Sequence, residues 1–315
     1  MKAAYEYHTP VLLEEVVELL VHKSDGTFLD GTLGGGGHFL AMAERLTAAG
    51  TLIGIDRDPE AVAWNRDRLA PCRPRIIIEK ARYSEFDRVL AMHHISSLDG
   101  MLLDLGVSSR QIDAASRGFS YRQDGPLDMR MDPATGMPAH ELLRKSSDEE
   151  LTAILREFGE VEHAGRIARG IKHAVARKPI VTSSDLRTCC ASLLGNRIPV
   201  KLLSRIFQAL RIAVNNELGE LKVFLDKVLN FLRPNGRLAI ISYHSLEDRM
   251  VKEYMRRYEG GCVCPPQIPV CVCNKVSLFK RLTKKAIRPS EGEVALNPRS
   301  RSARLRVGAK TGGQQ

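Results

Sequence analysis

The sequence predicts an α/β protein: a parallel, Rossmann-like sheet with an inserted all-helical domain. Three observations carry that expectation. Short apolar segments alternate with helical ones up to residue 111, helix signals without a β-rich run fill residues 112 to 213, and the alternation resumes from residue 214. Strict alternation implies parallel strands, because each crossover needs a helix to bring the chain back to the same end of the sheet.

The first apolar segment, "TFLD", ends at Asp30 and leads through the glycines Gly34 to Gly37 into "HFLAMAERL", where Phe39, Leu40, Ala43 and Leu46 recur at helical spacing. "TLIGID" follows and ends at Asp56, after which Asp58 caps a helix with Pro59 at its first position. "RIIIEK" around Ile77 and "GMLLDLG" into Asp104 complete the early strands. Beyond them "RGFSYRQDGPLDMRMDPATGMP" reads as an ordered loop, and Ser147 with Glu150 and Thr182 with Asp185 match two capping boxes. The stripe Leu218, Leu221, Leu225, Val228, Leu229 and Leu232 predicts a helix that stops near Pro234, before "GRLAIISYHS", a strand buried on both faces. "SARLRV" alternates Ala303, Leu305 and Val307 with arginines and is expected as a half-exposed strand. The expected organisation is a sheet domain in two parts, 1–111 and 214–308, a helical substrate-recognition domain at 112–213, and a disordered tail at 309–315.

Composition narrows the classes of function. Lys and Arg number 47 against 37 Asp and Glu, a net charge of +10 that favours a polyanionic partner such as nucleic acid, although a basic enzyme with other substrates has the same balance. Apolar runs are too short to span a bilayer, and Glu14 and Glu15 stand where a signal peptide would be apolar, so a soluble, cytoplasmic protein is expected. Seven cysteines, an odd number, fit reduced thiols. Cys262, Cys264, Cys271 and Cys273 form two C-x-C pairs, which depart from the C-x-x-C knuckle; a thiol-rich loop with no metal is the first reading and a zinc site the alternative.

Four consecutive glycines need a backbone reason, since glycine loses the most chain entropy on folding. A tight strand-to-helix turn beside a nucleoside cofactor supplies one, and the acid that such a fold places at the end of its second strand, to bind ribose hydroxyls, is Asp56. Asp30 separates two cofactor classes. A carboxylate there would repel a pyrophosphate but suits the ammonium of S-adenosylmethionine; its alternative role is to cap the turn. Tyr83 follows the third strand, placed to stack near an adenine or simply to fill a half-buried loop. Asp104 ends the fourth strand, where a side chain faces the reacting end of such a cofactor. A carboxylate accepting one N–H bond from an exocyclic amine lets electron density build on that poor nucleophile. Amino-methyltransferases of nucleic acid commonly follow this acid with two prolines and an aromatic, but here Leu105, Gly106 and Val107 follow. The base-stacking aromatic is thus unassigned, with Phe119, Tyr121 and Tyr243 as candidates, each of which has a structural alternative. His244 and Ser245 in "SYHSLEDR" reach the same edge, and His244 is carried as a catalytic candidate against the alternative of a structural histidine.

"DGTLGGGGH", "IDRDP", "LLDLGVSS", "RGFSYRQDGPLDMRMDP", "FQALRIAVNNEL", "SYHSLEDR" and "NPRSRSARLR" occur in this order, from about His8 to Val307, and together resemble the bacterial small-subunit ribosomal RNA methyltransferase H family. That resemblance implies a class I S-adenosylmethionine methyltransferase sheet and methylation of N4 of a cytosine in 16S ribosomal RNA. It also implies cofactor contacts at Gly36, Gly37, His38, Asp56, Tyr83, Asp104 and Gln111, and an insertion that helps form the RNA cleft. Arg166, Arg169, Lys172 and Arg177 in "GRIARGIKHAVARK" agree with such a partner, as do "FKRLTKKAIR" and "NPRSRSARLR"; a solvated helix face is the alternative for any one of them. A DNA amino-methyltransferase and an RNA-binding assembly factor without turnover are the competing readings, and the oligomeric state is open, a homodimer included.

Overall fold

The computed structural model describes residues 10–193, 195, 198–260 and 277–312. The cysteine quartet, Cys262, Cys264, Cys271 and Cys273, lies outside them. Two compact units emerge: one combines residues up to Gly106 with those from Gly219 onward, and the other is Val107–Leu218.

The first unit carries a seven-stranded sheet in the order β3-β2-β1-β4-β5-β7-β6. Its strands are β1 Thr27–Asp30, β2 Thr51–Asp56, β3 Arg75–Lys80, β4 Leu98–Asp104, β5 Leu232–Ser242, β6 Phe279–Arg281 and β7 Arg304–Lys310. β1 to β5 pair in parallel, and only β7 runs antiparallel to its neighbours β5 and β6. This is the parallel, Rossmann-like sheet that the sequence led us to expect. The crossovers are α2 Gly37–Arg45, α3 Pro59–Leu69 and α4 Phe86–Met92, while α1 Leu13–Leu20 precedes the sheet. One face of the sheet packs Leu29, Ile53, Met101 and Ile240 against Phe86 and Phe224; the other packs Phe28, Leu52, Leu102 and Ile241 against Val16, Leu20, Phe39 and Met42. Each large side chain so buried contributes about 1.5–3 kcal/mol, which is why the central strands read as unbroken apolar runs.

The second unit holds α5 Ser109–Asp113, α6 Ala139–Lys145, α7 Asp148–Gly159, α8 Ala164–Arg177, α9 Ser183–Leu193 and α10 Val200–Asn215, around a core that includes Leu143, Leu155, Ile171, Leu186, Phe207 and Leu210. Both capping boxes form: Glu150 N donates to Ser147 Oγ at 3.1 Å and Asp185 N to Thr182 Oγ1 at 3.0 Å. The loop before α6 is held from inside. Asn215, buried at the end of α10, accepts from Met131 N at 2.8 Å and donates to Met129 O at 2.7 Å, and the Arg117 guanidinium donates to Met131 O at 2.8 Å. Met129 has φ 62°, a left-handed conformation that these bonds over-determine.

Three expectations change. The helix α11 Glu217–Phe231 ends before Leu232, which already pairs with Leu98; the register then shifts, so that Gly100 pairs with Arg237, and Pro234, which has no N–H for a ladder, falls in the irregularity. "SARLRV" is not half-exposed: β7 lies between two strands, and the side of Arg306 is buried because α12 Ser245–Glu259 brings Asp248 to it, with Arg306 Nε 2.7 Å from Oδ1. Residues 309 and 310 belong to the strand and not to a tail, since Ala309 pairs with Arg237 and Lys280 and the Lys310 amine donates to Leu229 O and Leu232 O, both at 2.8 Å. A short α13, Glu291–Leu296, precedes β7, and among the described residues no helix is long and apolar enough to cross a membrane.

Replacing Asn215 by Ala strands a buried N–H and a buried carbonyl in the second unit. The expected loss is about 2 kcal/mol or more, at roughly 1–3 kcal/mol per unsatisfied group, read as a lower urea midpoint.

Candidate functional site

At Gly36 and Gly37 the glycine turn is shaped by contacts that leave no space for side chains. Gly34 has φ 47° and Gly36 φ 74°, both left-handed. A Cβ on Gly36 would collide with Asn65 Oδ1 and one on Gly37 with Pro10 Cγ. The collision partners are what hold the turn: Asn65 Nδ2 donates to Gly34 O at 2.8 Å and Arg68 Nη2 to Gly35 O at 2.6 Å. Gly36 then starts α2 as its N-cap residue.

Three carboxylates stand at the C-terminal ends of β1, β2 and β4. Asp30, 1% exposed, accepts from Thr32 N at 3.0 Å, which bends the chain into the turn. Asp56 accepts from Gly34 N and Asp58 N, each at 2.8 Å, so it braces the glycine turn from the next strand. Asp104 is reached by the Tyr243 hydroxyl, which donates to Oδ1 at 2.9 Å, while its own N–H donates to Thr32 Oγ1 at 2.6 Å. Burial is the main cause that raises all three: Asp30 and Asp104 to about 7, Asp56 to about 6. Hydrogen bonds to the charged forms oppose the rise without cancelling it.

His38 sits against this group. Its Nε2 lies 3.0 Å from Val11 O, which can only accept, so Nε2 carries the proton; burial lowers the ring's pKa and leaves Nδ1 a lone pair, 3.7 Å from Asp104 Oδ2. A neutral ring does not offset the carboxylate beside it. Tyr83 follows β3 and packs edge-on against Phe224, with centroids 5.9 Å apart. Its flanks are tied down by a buried carboxylate, Glu220, which accepts from Arg82 Nη1 at 3.0 Å and from Ser84 Oγ.

Other expected residues have different surroundings. His244 is the N-cap of α12, where Nδ1 accepts from Glu247 N at 3.4 Å; Nε2 is 3.1 Å from Glu247 Oε1. Gln111 belongs to the second unit and closes a capping box at α5, its Oε1 accepting from Ser108 N at 3.0 Å. Phe119, at 9% exposed, is a core residue of that unit, and Tyr121 packs edge-on against Phe207. Lys172 does not join the basic stripe on α8: its amine caps α6 by donating to Leu143 O at 3.0 Å and Arg144 O at 2.9 Å. Arg166, Arg169 and Arg177 are exposed, and His173, exposed too, completes their face at helical spacing. Within "NPRSRSARLR", Arg304 and Arg306 both pair with Asp248.

Sequence reasoning did not single out Thr32, Asn65, Arg68 or Glu220. Asn65 and Arg68, three residues apart on α3, had one legible signal: they share the helix face that meets the glycine turn.

A family model described as the MraW methylase family matches residues 5–311. The chain belongs to that family. Among MraW relatives it is 44% identical over 303 residues to a Syntrophotalea carbinolica protein, covering 95% of this chain and 96% of that one. It is 46% identical over 311 residues to one from Nitratidesulfovibrio vulgaris, covering 96% and 95% respectively. Both relatives are named ribosomal RNA small subunit methyltransferase H.

S-adenosylmethionine, the cofactor of MraW methylases, fits the donor set. Carboxylates at adjacent strand ends, one buried and two half-buried, each with few partners, suit an ammonium, a sulfonium and ribose hydroxyls, and the glycine turn lets the backbone approach.

The raised carboxylates give the cofactor-free protein a defined pH dependence. Between about pH 4 and pH 7 the unfolded chain has lost the protons that folded Asp30 and Asp104 keep, so stability falls as pH rises, by about 1.4 kcal/mol per pH unit for each group. Urea denaturation across that range is expected to show the decline, and Asp30→Asn to flatten it.

Proposed function

We propose that the chain methylates the N4 amino group of a cytosine in 16S ribosomal RNA, using S-adenosylmethionine, in the cytoplasm and on the small ribosomal subunit. The family membership supports the reaction class, and Asp104 at the end of β4 is the observation that carries the chemistry. Bound S-adenosylmethionine supplies an electrophilic methyl group on a sulfonium, which calls for alignment of donor and acceptor and not for a metal.

Asp30 and Asp56 hold the cofactor's ammonium and ribose, with Gly36, Gly37 and His38 along the turn, Tyr83 at the adenine and Gln111 as a further contact. Asp104 acts at the acceptor. Tyr243 occupies its Oδ1 and so orients the carboxylate, leaving Oδ2 to accept an N–H of the cytosine amine. A carboxyl group titrating at about 7 is matched to the task, since it is ionised often enough to accept the proton and basic enough to keep it. His244 serves the substrate side through α12, as a positioning residue. The unit Val107–Leu218 recognises substrate, with Arg166, Arg169 and Arg177 on phosphates, which sets register without reading sequence. The name shared by the relatives favours ribosomal RNA over DNA.

Tritiated-methyl transfer to small subunits, naked ribosomal RNA and DNA tests the reading; label in DNA alone refutes it. Asp104→Asn is expected to lower turnover by about 10²-fold or more with a urea midpoint that does not fall, and full activity would remove Asp104 from the reaction. Tyr243 is a positioning residue whose hydrogen bond holds Asp104's pKa down. Tyr243→Phe should therefore move the acid limb of the kcat/KM profile to higher pH, whereas a purely structural role would leave its midpoint in place.

A further inference from the structure

The C-terminal end of β5 opens onto a cavity of about 100 Å3 within the first unit. Tyr243, His244, Arg288, Arg301, Ser302 and Arg304 line it, and among the described residues no acidic side chain does. We propose that this cavity is a phosphate subsite: it takes the phosphate of the RNA nucleotide whose base reaches Asp104. The assignment rests on the RNA methyltransferase reading and adds to it the place where the strand is gripped.

Charge is the first reason. Arg304 and Arg306 share one carboxylate, Asp248, with Arg304 Nη1 2.8 Å from Oδ2, so that pair alone retains a positive surplus. Arg288 and Arg301 are exposed and have no hydrogen-bond or ion-pair partner among the described residues. Three guanidinium groups around one concavity are costly to assemble without an anion, and the planar guanidinium fork matches phosphate oxygens.

The second reason is that the rim is built on ordered backbone. Ile287 and Leu305 exchange N–H to O bonds of 2.9 Å in both directions, which fixes the residue before Arg288. Asn297 Oδ1 accepts from Arg299 N at 3.2 Å and Ser300 Oγ donates to Asn297 O at 2.8 Å, shaping the turn that presents Arg301 and Ser302. α12, fifteen residues long, starts at this wall, so its positive end adds to the field.

Position is the third reason. Tyr243 belongs to the cavity wall and at the same time donates to Asp104, so one side chain separates the anion site from the reacting carboxylate. A nucleotide joins a base and a phosphate across a comparable gap. Extruding a base for chemistry strains the backbone on either side of it, and an anchored phosphate holds the strand there.

The test is the double variant Arg288→Gln/Arg301→Gln in the full chain, with unchanged S-adenosylmethionine affinity and thermal midpoint as the check on folding. By calorimetry, cytidine 5′-monophosphate should bind the native protein about tenfold tighter than cytidine, a difference of about 1.4 kcal/mol, and the variant should lose that preference. On small subunits KM should rise with kcat within about twofold, and the log–log salt slope of RNA affinity should fall by about 0.7, the value for one single-strand phosphate. Equal native affinities for the two cytidine ligands overturn the subsite, as do an unchanged KM and salt slope in the variant. Inorganic phosphate that binds as tightly as the monophosphate, with no change in RNA affinity, makes this a free-phosphate site and overturns the RNA assignment. If the native protein transfers no methyl to any RNA, the proposed function falls while the monophosphate arm still decides the subsite: a preference lost in the variant supports it, no preference overturns it.

Discussion

Three carboxylates at the ends of neighbouring strands, Asp30 buried and Asp56 and Asp104 half-buried, govern the first unit. Asp30, Asp56 and Asp104 are each held by one or two hydrogen bonds, fewer than a buried carboxylate can accept. Burial raises their pKa values, so few hydrogen bonds do not cancel the rise, and the strand ends favour cations and hydroxyl donors. The surrounding elements exist in the form they do because these acids must stay where they are. Thr32 ties the end of β1 to Asp104, Gly34 leans on Asp56, and Asn65 and Arg68 hold the turn from α3. In the proposed site the cofactor meets an electrostatic deficit prepared during folding, the arrangement that preorganised sites use to avoid reorganisation at the moment of reaction.

The parts of this site that could be read in the sequence are those whose signal is local. A strand ending in an acid, a glycine run and a capped helix announce themselves within a dozen or so residues, so Asp30, Asp56 and Asp104 were found together with the turn between them. Tyr243 and Glu220 were not legible in their roles, because each acts on a residue more than a hundred positions away, Asp104 and Ser84. The same limit explains Lys172 and Arg306. In sequence both are basic residues in basic stretches; in the fold one caps a neighbouring helix and the other meets a buried acid. Charge counted along a chain overstates what is free to meet a polyanion.

The helical unit follows a different logic. Its helices α7 and α9 start at side-chain caps that the sequence prints plainly, Ser147 and Thr182, and its core is an ordinary apolar one. What it hides is the interior of its long loop, where Arg117 and Asn215 replace the missing strand ladder by bonding carbonyls and amides one at a time. A segment rich in Gly, Pro and Asp can be as fixed as a strand when buried side chains answer its backbone polar groups.

The order of strands at the far edge of the sheet bears on how the polypeptide matures as it leaves the ribosome. β6 precedes β7 in the chain but touches the sheet only through it, for β7 is the strand wedged between β5 and β6. Until that last segment emerges, the open flank of β5 is an unpaired template. A nascent chain stalled a few dozen residues short would expose it to other chains, which is the usual route to edge-to-edge aggregation.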